Sequence, residues 1–168
     1  PDPGFNCLIE DVHDLRELLS RIHRAKWVFH NAAYDIRQLR RFVDIPQREV
    51  WDTMLIESGL FSGWYDSYGL DDLYRRWTGN VISKELQSEF GKVTALSETL
   101  RTYAVRDARS TLEIAIAQKS HISSQQLSIK HYSLIDVPCM WAIMDLSPAR
   151  IDVDGWLKLG EFHEAEGL

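Results

Sequence analysis

The chain is short of cysteine, of positive charge and of long apolar runs, and each shortage closes off a class of protein. Cys7 and Cys139 are the only cysteines in 168 residues, and they lie far apart. They have no metal-ligand spacing and build no disulfide framework, so they fit buried thiols in a reducing compartment. Nineteen basic against 25 acidic side chains leave a formal charge of −6, which advertises no nucleic-acid partner through net charge. A carboxylate-lined metal site is itself acidic, so that class is not excluded. No apolar run is long enough to span a bilayer, and no signal-peptide pattern is present. Internal repeats and low-complexity segments are missing too. These absences point away from membranes and towards a cytoplasmic location.

What remains is the composition of a folded domain. Hydrophobic residues at 45% and charged residues at 26% argue against disorder. The length suffices for one core with a short appendage. Six tryptophans suggest a core built on large aromatics. The chain starts at Pro1 and stops at Gly167-Leu168 just after a helical pattern. A processed domain and a piece of a longer protein are both compatible with that.

Periodicity predicts strands alternating with helices, hence an α/β domain. "DVHDLRELLSRIHR" (Asp11 to Arg24) has the one-face spacing of an amphipathic helix, with Asp11 as N-cap. "WVFH" reads as a short buried strand. "AAYDIRQLRRFVD" (Ala32 to Asp44) is helical again, ended by Ile45-Pro46. "EVWDTMLIESGLF" is a brief strand running into a helix, and Ser62 to Gly69 is a loop. Leu70 to Gly79 is a short helix closed by its glycine. Leu96 to Ile122 is a long helix starting at Ser97, with Leu100, Ala104, Ala108, Leu112 and Ile116 as its apolar positions. After about Ser120 the composition turns polar. Two more helical patterns follow, separated by an extended turn in "SPARIDVD".

Two pairs of polar residues stand out. Asn31 and Asp35 are four apart at the start of a helix, directly after the strand that ends in His30. A helix N-terminus is electropositive and holds an aspartate ionised. An asparagine N-cap with a first-turn aspartate reads the same way. Tyr103 and Asp107 are also four apart, so phenol and carboxylate point the same way from the long helix, bordering its apolar stripe. A surface Tyr–Asp pair fits that spacing equally. Taken together, the pairs suit phosphodiester hydrolysis. Two divalent ions about 3.5–4 Å apart, held by carboxylates, relieve charge on the leaving oxygen and supply an in-line water. Hard Mg²⁺ or Mn²⁺ prefers such oxygen ligands. A tyrosine hydroxyl beside the water can orient it.

At these residues the sequence resembles the proofreading-type 3′→5′ exonucleases, the DnaQ-like or DEDD superfamily, in its tyrosine branch. "HNAAYD" resembles the second motif, N-x-x-[FY]-D, and "YAVRD" the third, Y-x-x-x-D. "WDTM" and "YGLDDLYRRWTGNVISKELQSEF" lie between them in the order seen in bacterial polymerase I and ribonuclease D proteins. The tail "DVPCMWAIMDLSPARIDVDGWLKLGEF" resembles the segment of family A DNA polymerases that leaves the exonuclease domain for the polymerase thumb. Arg150 stands there where a glycine is usual.

The resemblance implies a ribonuclease H-like mixed sheet flanked by helices over residues 1–122, then a helical linker over 123–168 leading to a polymerase region. It implies that Asp35 and Asp107 hold Mg²⁺ or Mn²⁺, two ions in the complete site, and that Tyr103 orients the water. It places Asn31, His30 and Lys84 towards the substrate, a single-stranded or frayed DNA 3′ end. A polymerase domain in the same polypeptide and a nucleoid-associated location follow from it as well. His30 also reads as a satisfied strand-end histidine, and Lys84 as a plain surface lysine.

One departure matters. The superfamily's first motif, D-x-E on the first strand, supplies two further metal carboxylates, and no D-x-E precedes Asn31. "IEDVHD" offers Glu10, Asp11 and Asp14 in the wrong order. A fragment without that strand is expected to bind the metal pair poorly and to be inactive or nearly so. Asp66, Asp71 and Asp72 read as a loop acid and a helix N-terminal pair, and Asp152 and Asp154 as solvated. Trp64, Tyr65 and Tyr68 either stack on unpaired bases or pack against the helices. The competing functions are a ribonuclease D-type exoribonuclease and a non-catalytic nucleic-acid-binding or structural module.

Overall fold

A computed structural model describes residues 9, 11–82, 97–146 and 152–166. Helix α1 (Val12–Arg21) is N-capped by Asp11, whose carboxylate accepts the N–H of His13 at 2.6 Å. Strand β1 (Trp27–Phe29) is half-buried along its whole length. Helix α2 (Ala32–Leu39) stops well before Asp44. Beyond it, Phe42 and Val43 both donate to the carbonyl of Leu39. That tight turn sends Val43 and Ile45 back into the core.

Strand β2 (Val50–Asp52) runs parallel to β1, with Trp27 opposite Val50 and Phe29 opposite Asp52. Among the described residues these two strands are the whole sheet. The expected mixed sheet is therefore seen as one parallel ladder, in a chain that is mostly helical. Helix α3 (Thr53–Leu60) leaves β2 without a linker, and α4 (Leu70–Thr78) ends at Gly79. Gly79 has φ +76°, the left-handed conformation in which glycine carries no Cβ penalty. Helix α5 (Glu98–Ser124) is capped by the Ser97 hydroxyl, which accepts the N–H of Leu100 at 3.3 Å. It packs along α4 and also touches α3 and β1.

Downstream of α5, a π-helical turn (Tyr132–Asp136) runs into α6 (Val137–Asp145). Pro138 explains the widened turn, because its ring would collide with the carbonyl four residues back. Tyr132, Val137, Met140 and Trp141 share one core with Ala32, Ile36, Val43, Ile45, Val50 and Ile56. The Tyr132 hydroxyl accepts the N–H of Asp52 and donates to the carbonyl of Val50, both at 2.8 Å. A side chain thus occupies the β2 edge where another strand would pair. The last helix, α7 (Val153–Glu166), follows Asp152, whose carboxylate accepts the N–H of Gly155 at 3.0 Å. Val153 therefore opens a helix rather than continuing an extended turn.

A second buried layer is polar. The Glu57 carboxylate is 1% exposed. It accepts from Trp77 Nε1 at 2.7 Å and from Gln118 Nε2 at 3.0 Å, with Arg76 Nε 3.6 Å away. Gln118 also donates to the Thr53 carbonyl and accepts from Trp51 Nε1. Side chains from α3, α4, α5 and β2 are thereby locked into one network, in which Arg76 Nε is buried without a hydrogen-bond partner.

Candidate active site

Because β1 and β2 are parallel, their C-terminal ends emerge together, the usual position for a site in an open α/β sheet. At the end of β1, Asn31 takes a left-handed conformation (φ 65°, ψ 59°). Asparagine is among the few residues that tolerate it, and it turns strand into helix within two residues. Asn31 stands at the N-cap position, yet its side chain makes no capping bond and is exposed. The capping group comes from β2 instead. Asp52, 1% exposed, accepts the N–H of Asn31 at 3.1 Å and of Ala32 at 2.7 Å. The same carboxylate accepts from Met54 and Leu55 at 2.9 and 3.3 Å. One buried carboxylate therefore begins both α2 and α3.

Asp35 lies one turn along α2 and is half-buried. Burial pushes its carboxyl up to about 6, and the charge of Asp52 adds to the shift. His30 Nδ1 lies 2.9 Å from the Thr53 hydroxyl, which itself donates to the Phe29 carbonyl at 3.2 Å. With its proton given to Phe29, that hydroxyl takes the Nδ1–H of His30, and Nε2 keeps its lone pair. Burial lowers the imidazole's pKa, against the opposing pull of Asp52 and Asp71.

On α5, Tyr103 is buried and Asp107 half-buried. The phenol and the carboxylate are hydrogen-bonded one turn apart. Burial raises both pKa values. The charge and hydrogen bond of Asp107 raise that of Tyr103 further, whereas Tyr103 and Arg106 hold Asp107 back. The Arg106 guanidinium stacks 4.9 Å over the Tyr103 ring. The second carboxylate oxygen of Asp107, Oδ1, is buried without a hydrogen-bond partner.

The inward face of α5 differs from the apolar stripe expected of it. Leu100, Tyr103, Ser110, Ile114 and Gln118 are buried, while Leu112 and Ile116 are exposed. Tyr103 thus sits on the inward face itself, and Asp107 on the same face one turn on.

Asp71, in the first turn of α4, is felt electrostatically at both His30 and Tyr103. The start of α4 therefore lies near both the β1 end and Tyr103. Reading Asp71 as a helix N-terminal acid is correct, but its reach into the site was not evident from sequence. Asp52 was visible in "WDTM" as an acid ending an apolar strand. Its hold on the other helix spans 20 residues and has no local signal. Lys84 lies outside the described residues. Asp66 and Asp154 are exposed. No three His, Cys, Asp or Glu side chains among the described residues converge to hold a metal ion. No described helix is long and apolar enough to cross a membrane.

Comparison with known proteins adds one finding. A family model described as 3′-5′ exonuclease, of the family A DNA polymerase type, matches residues 5–120. No curated protein and no solved structure matches the chain.

Proposed function

Because the chain belongs to the 3′-5′ exonuclease domain family of family A DNA polymerases, we propose that it removes nucleotides from a DNA 3′ end, as the proofreading part of a polymerase I-like protein. The observation that carries this reading is the Tyr103–Asp107 pair on the inward face of α5, with one carboxylate oxygen left unsatisfied.

Exonucleases of this family use divalent metal ions. The donors here fit a hard cation: a buried carboxylate oxygen without a partner on Asp107, and a desolvated carboxylate on Asp35. Those two residues would hold the metal, which when bound supplies charge relief at the phosphate and an activated water. The chain's own groups do the rest. Tyr103 donates its proton to Asp107, so its oxygen accepts from a water and aligns that water's lone pair. A phenol whose pKa is raised stays protonated, so it orients the water rather than acting as the base. Asn31, with an exposed side chain that makes no capping bond, would meet the substrate, and His30 would present Nε2 as an acceptor for a hydroxyl of the terminal sugar. Residues 123–168 would lead towards the polymerase thumb.

Two carboxylates are half of what a two-ion site uses, so slow cleavage is expected of the 168-residue chain alone. The test compares 5′-labelled single-stranded DNA and RNA of equal sequence with Mg²⁺, with Mn²⁺ and with EDTA. The natural protein from its source cells is assayed alongside this chain. Stepwise, metal-dependent shortening of DNA from the 3′ end is expected, with loss in Asp35→Asn and Asp107→Asn. Preferential RNA shortening would move the reading to a ribonuclease D-type enzyme. Binding without any cleavage by the natural protein would make the domain a non-catalytic module.

A further inference from the structure

At the C-terminal end of α2, away from Asn31, an open cleft of about 850 Å³ lies between α1 and the turn that follows α2. Arg16, Arg40 and Arg41 line it, against a single carboxylate, Asp44. Arg40 is already engaged by Asp145. Arg16 donates to the Phe42 carbonyl at 3.1 Å and Arg41 to the Gln38 side chain at 3.2 Å. Both of those guanidiniums are thus held in place by neutral acceptors rather than by carboxylates. In a chain of net charge −6, such a concentration of cations in one concavity is not a consequence of composition. Phe42 lines the same cleft and is 49% exposed.

We propose that the Arg16–Phe42–Arg41 cleft is a binding groove for single-stranded nucleic acid, separate from the Asp35–Asp107 site. Guanidinium is the side chain best matched to phosphate, through paired N–H donors and weak hydration. A basic groove that tracks the backbone, with an aromatic face for a base, is the general form of single-strand binding. The openness of the cleft suits a polymer running through it rather than an enclosed small ligand. Helix α2 has eight residues, so its ends lie about 12 Å apart. At about 3.4 Å per stacked nucleotide, the groove would grip the strand a few nucleotides from its terminus. The inference rests on the exonuclease reading only in taking nucleic acid as the polymer.

The experiment is fluorescence anisotropy of a labelled 20-nucleotide DNA strand with the full chain, in EDTA so that nothing is cleaved, over a salt series. Each phosphate contact on a single strand contributes about 0.7 to the slope of log K against log salt. Arg16→Ala/Arg41→Ala is expected to reduce that slope by about 1.4 and to weaken binding about tenfold at low salt. Arg16→Lys/Arg41→Lys is expected to keep the slope. Phe42→Ala is expected to weaken binding at an unchanged slope. The groove is overturned if the wild-type chain does not bind the strand. An unchanged slope in a double alanine variant with wild-type circular dichroism overturns it too. So does displacement of the strand by polyglutamate of equal charge when Phe42→Ala has no effect, which would mark a surface for acidic protein. Asp107→Asn separates the two readings, since it abolishes cleavage and leaves this binding in place. A chain that cleaves normally with both arginines removed, at unchanged affinity, refutes the groove alone.

Discussion

Asp52 accepts the N–H of Ala32 at 2.7 Å, across 20 residues of sequence, while its other oxygen caps the helix that begins at Thr53. The left-handed turn at Asn31, and with it the position of Asp35, hangs on a carboxylate that touches neither side chain as a ligand would.

Replacing that carboxylate should be costly. Asp52→Ala leaves N–H groups of Asn31, Ala32, Met54 and Leu55 without their acceptor. A loss of about 2–4 kcal/mol is expected from the lost caps and buried donors. For a chain of this size that is roughly 5–15 °C in Tm. Asp52→Asn keeps one acceptor and should lose about half as much. Calorimetry decides it, and a shift within about 2 °C for the alanine variant would refute the role.

The raised pKa of Asp35 has a definite sign in stability. Between its ordinary value of 3.8 and about 6, the folded chain holds a proton that the unfolded chain has released. Stability therefore falls as pH rises through that window, and the full cost is present above it. Asp35→Asn carries no such cost. In EDTA its Tm should exceed wild type by a few degrees at pH 7, and the gap should close near pH 4. A gap that stays constant or widens towards acid would show the carboxyl is not strained.

Tyr103→Phe separates orientation from binding. A turnover loss of about 10–100-fold is expected from a misaligned water, with KM nearly unchanged. The same change removes a hydrogen bond that lowers the Asp107 pKa, so the acidic limb of the pH–rate profile should move to higher pH. Wild-type turnover in the phenylalanine variant would end the water-orienting proposal.

Tyr132→Phe deletes one hydroxyl and two hydrogen bonds, leaving the Val50 carbonyl and the Asp52 N–H unpaired at a buried edge. About 2 kcal/mol of destabilisation is expected, with faster amide exchange at Asp52. Unchanged exchange there would mean that water already serves that edge.

Much of this structure can be read along the chain, and the parts that cannot have a common cause. Asp11, Ser97 and Gly79 mark helix ends because caps act within three residues of themselves. The Asn31–Asp35 and Tyr103–Asp107 pairs are legible for the same reason, since a helical turn is a local object. The inward face of α5 is misread because Ser110 and Gln118 are polar and buried. Gln118 is buried only because Glu57, Thr53 and Trp51, at least 61 residues away in sequence, satisfy it. Asp52 and Tyr132 escape notice likewise, their bonds closing over distances that no periodicity samples.

The phenol on the edge of β2 also sets a rule for dissecting the protein. A shortened chain ending at Ile122 keeps every motif that suggests a nuclease, yet it loses Tyr132 and the α6 residues packed on Ile36, Val43 and Ile45. It would bare an unpaired strand edge beside an uncovered apolar face, the combination that drives chains to pair with one another. Expression trials that trim to the last recognisable motif should therefore give more aggregate than those that run through Asp145.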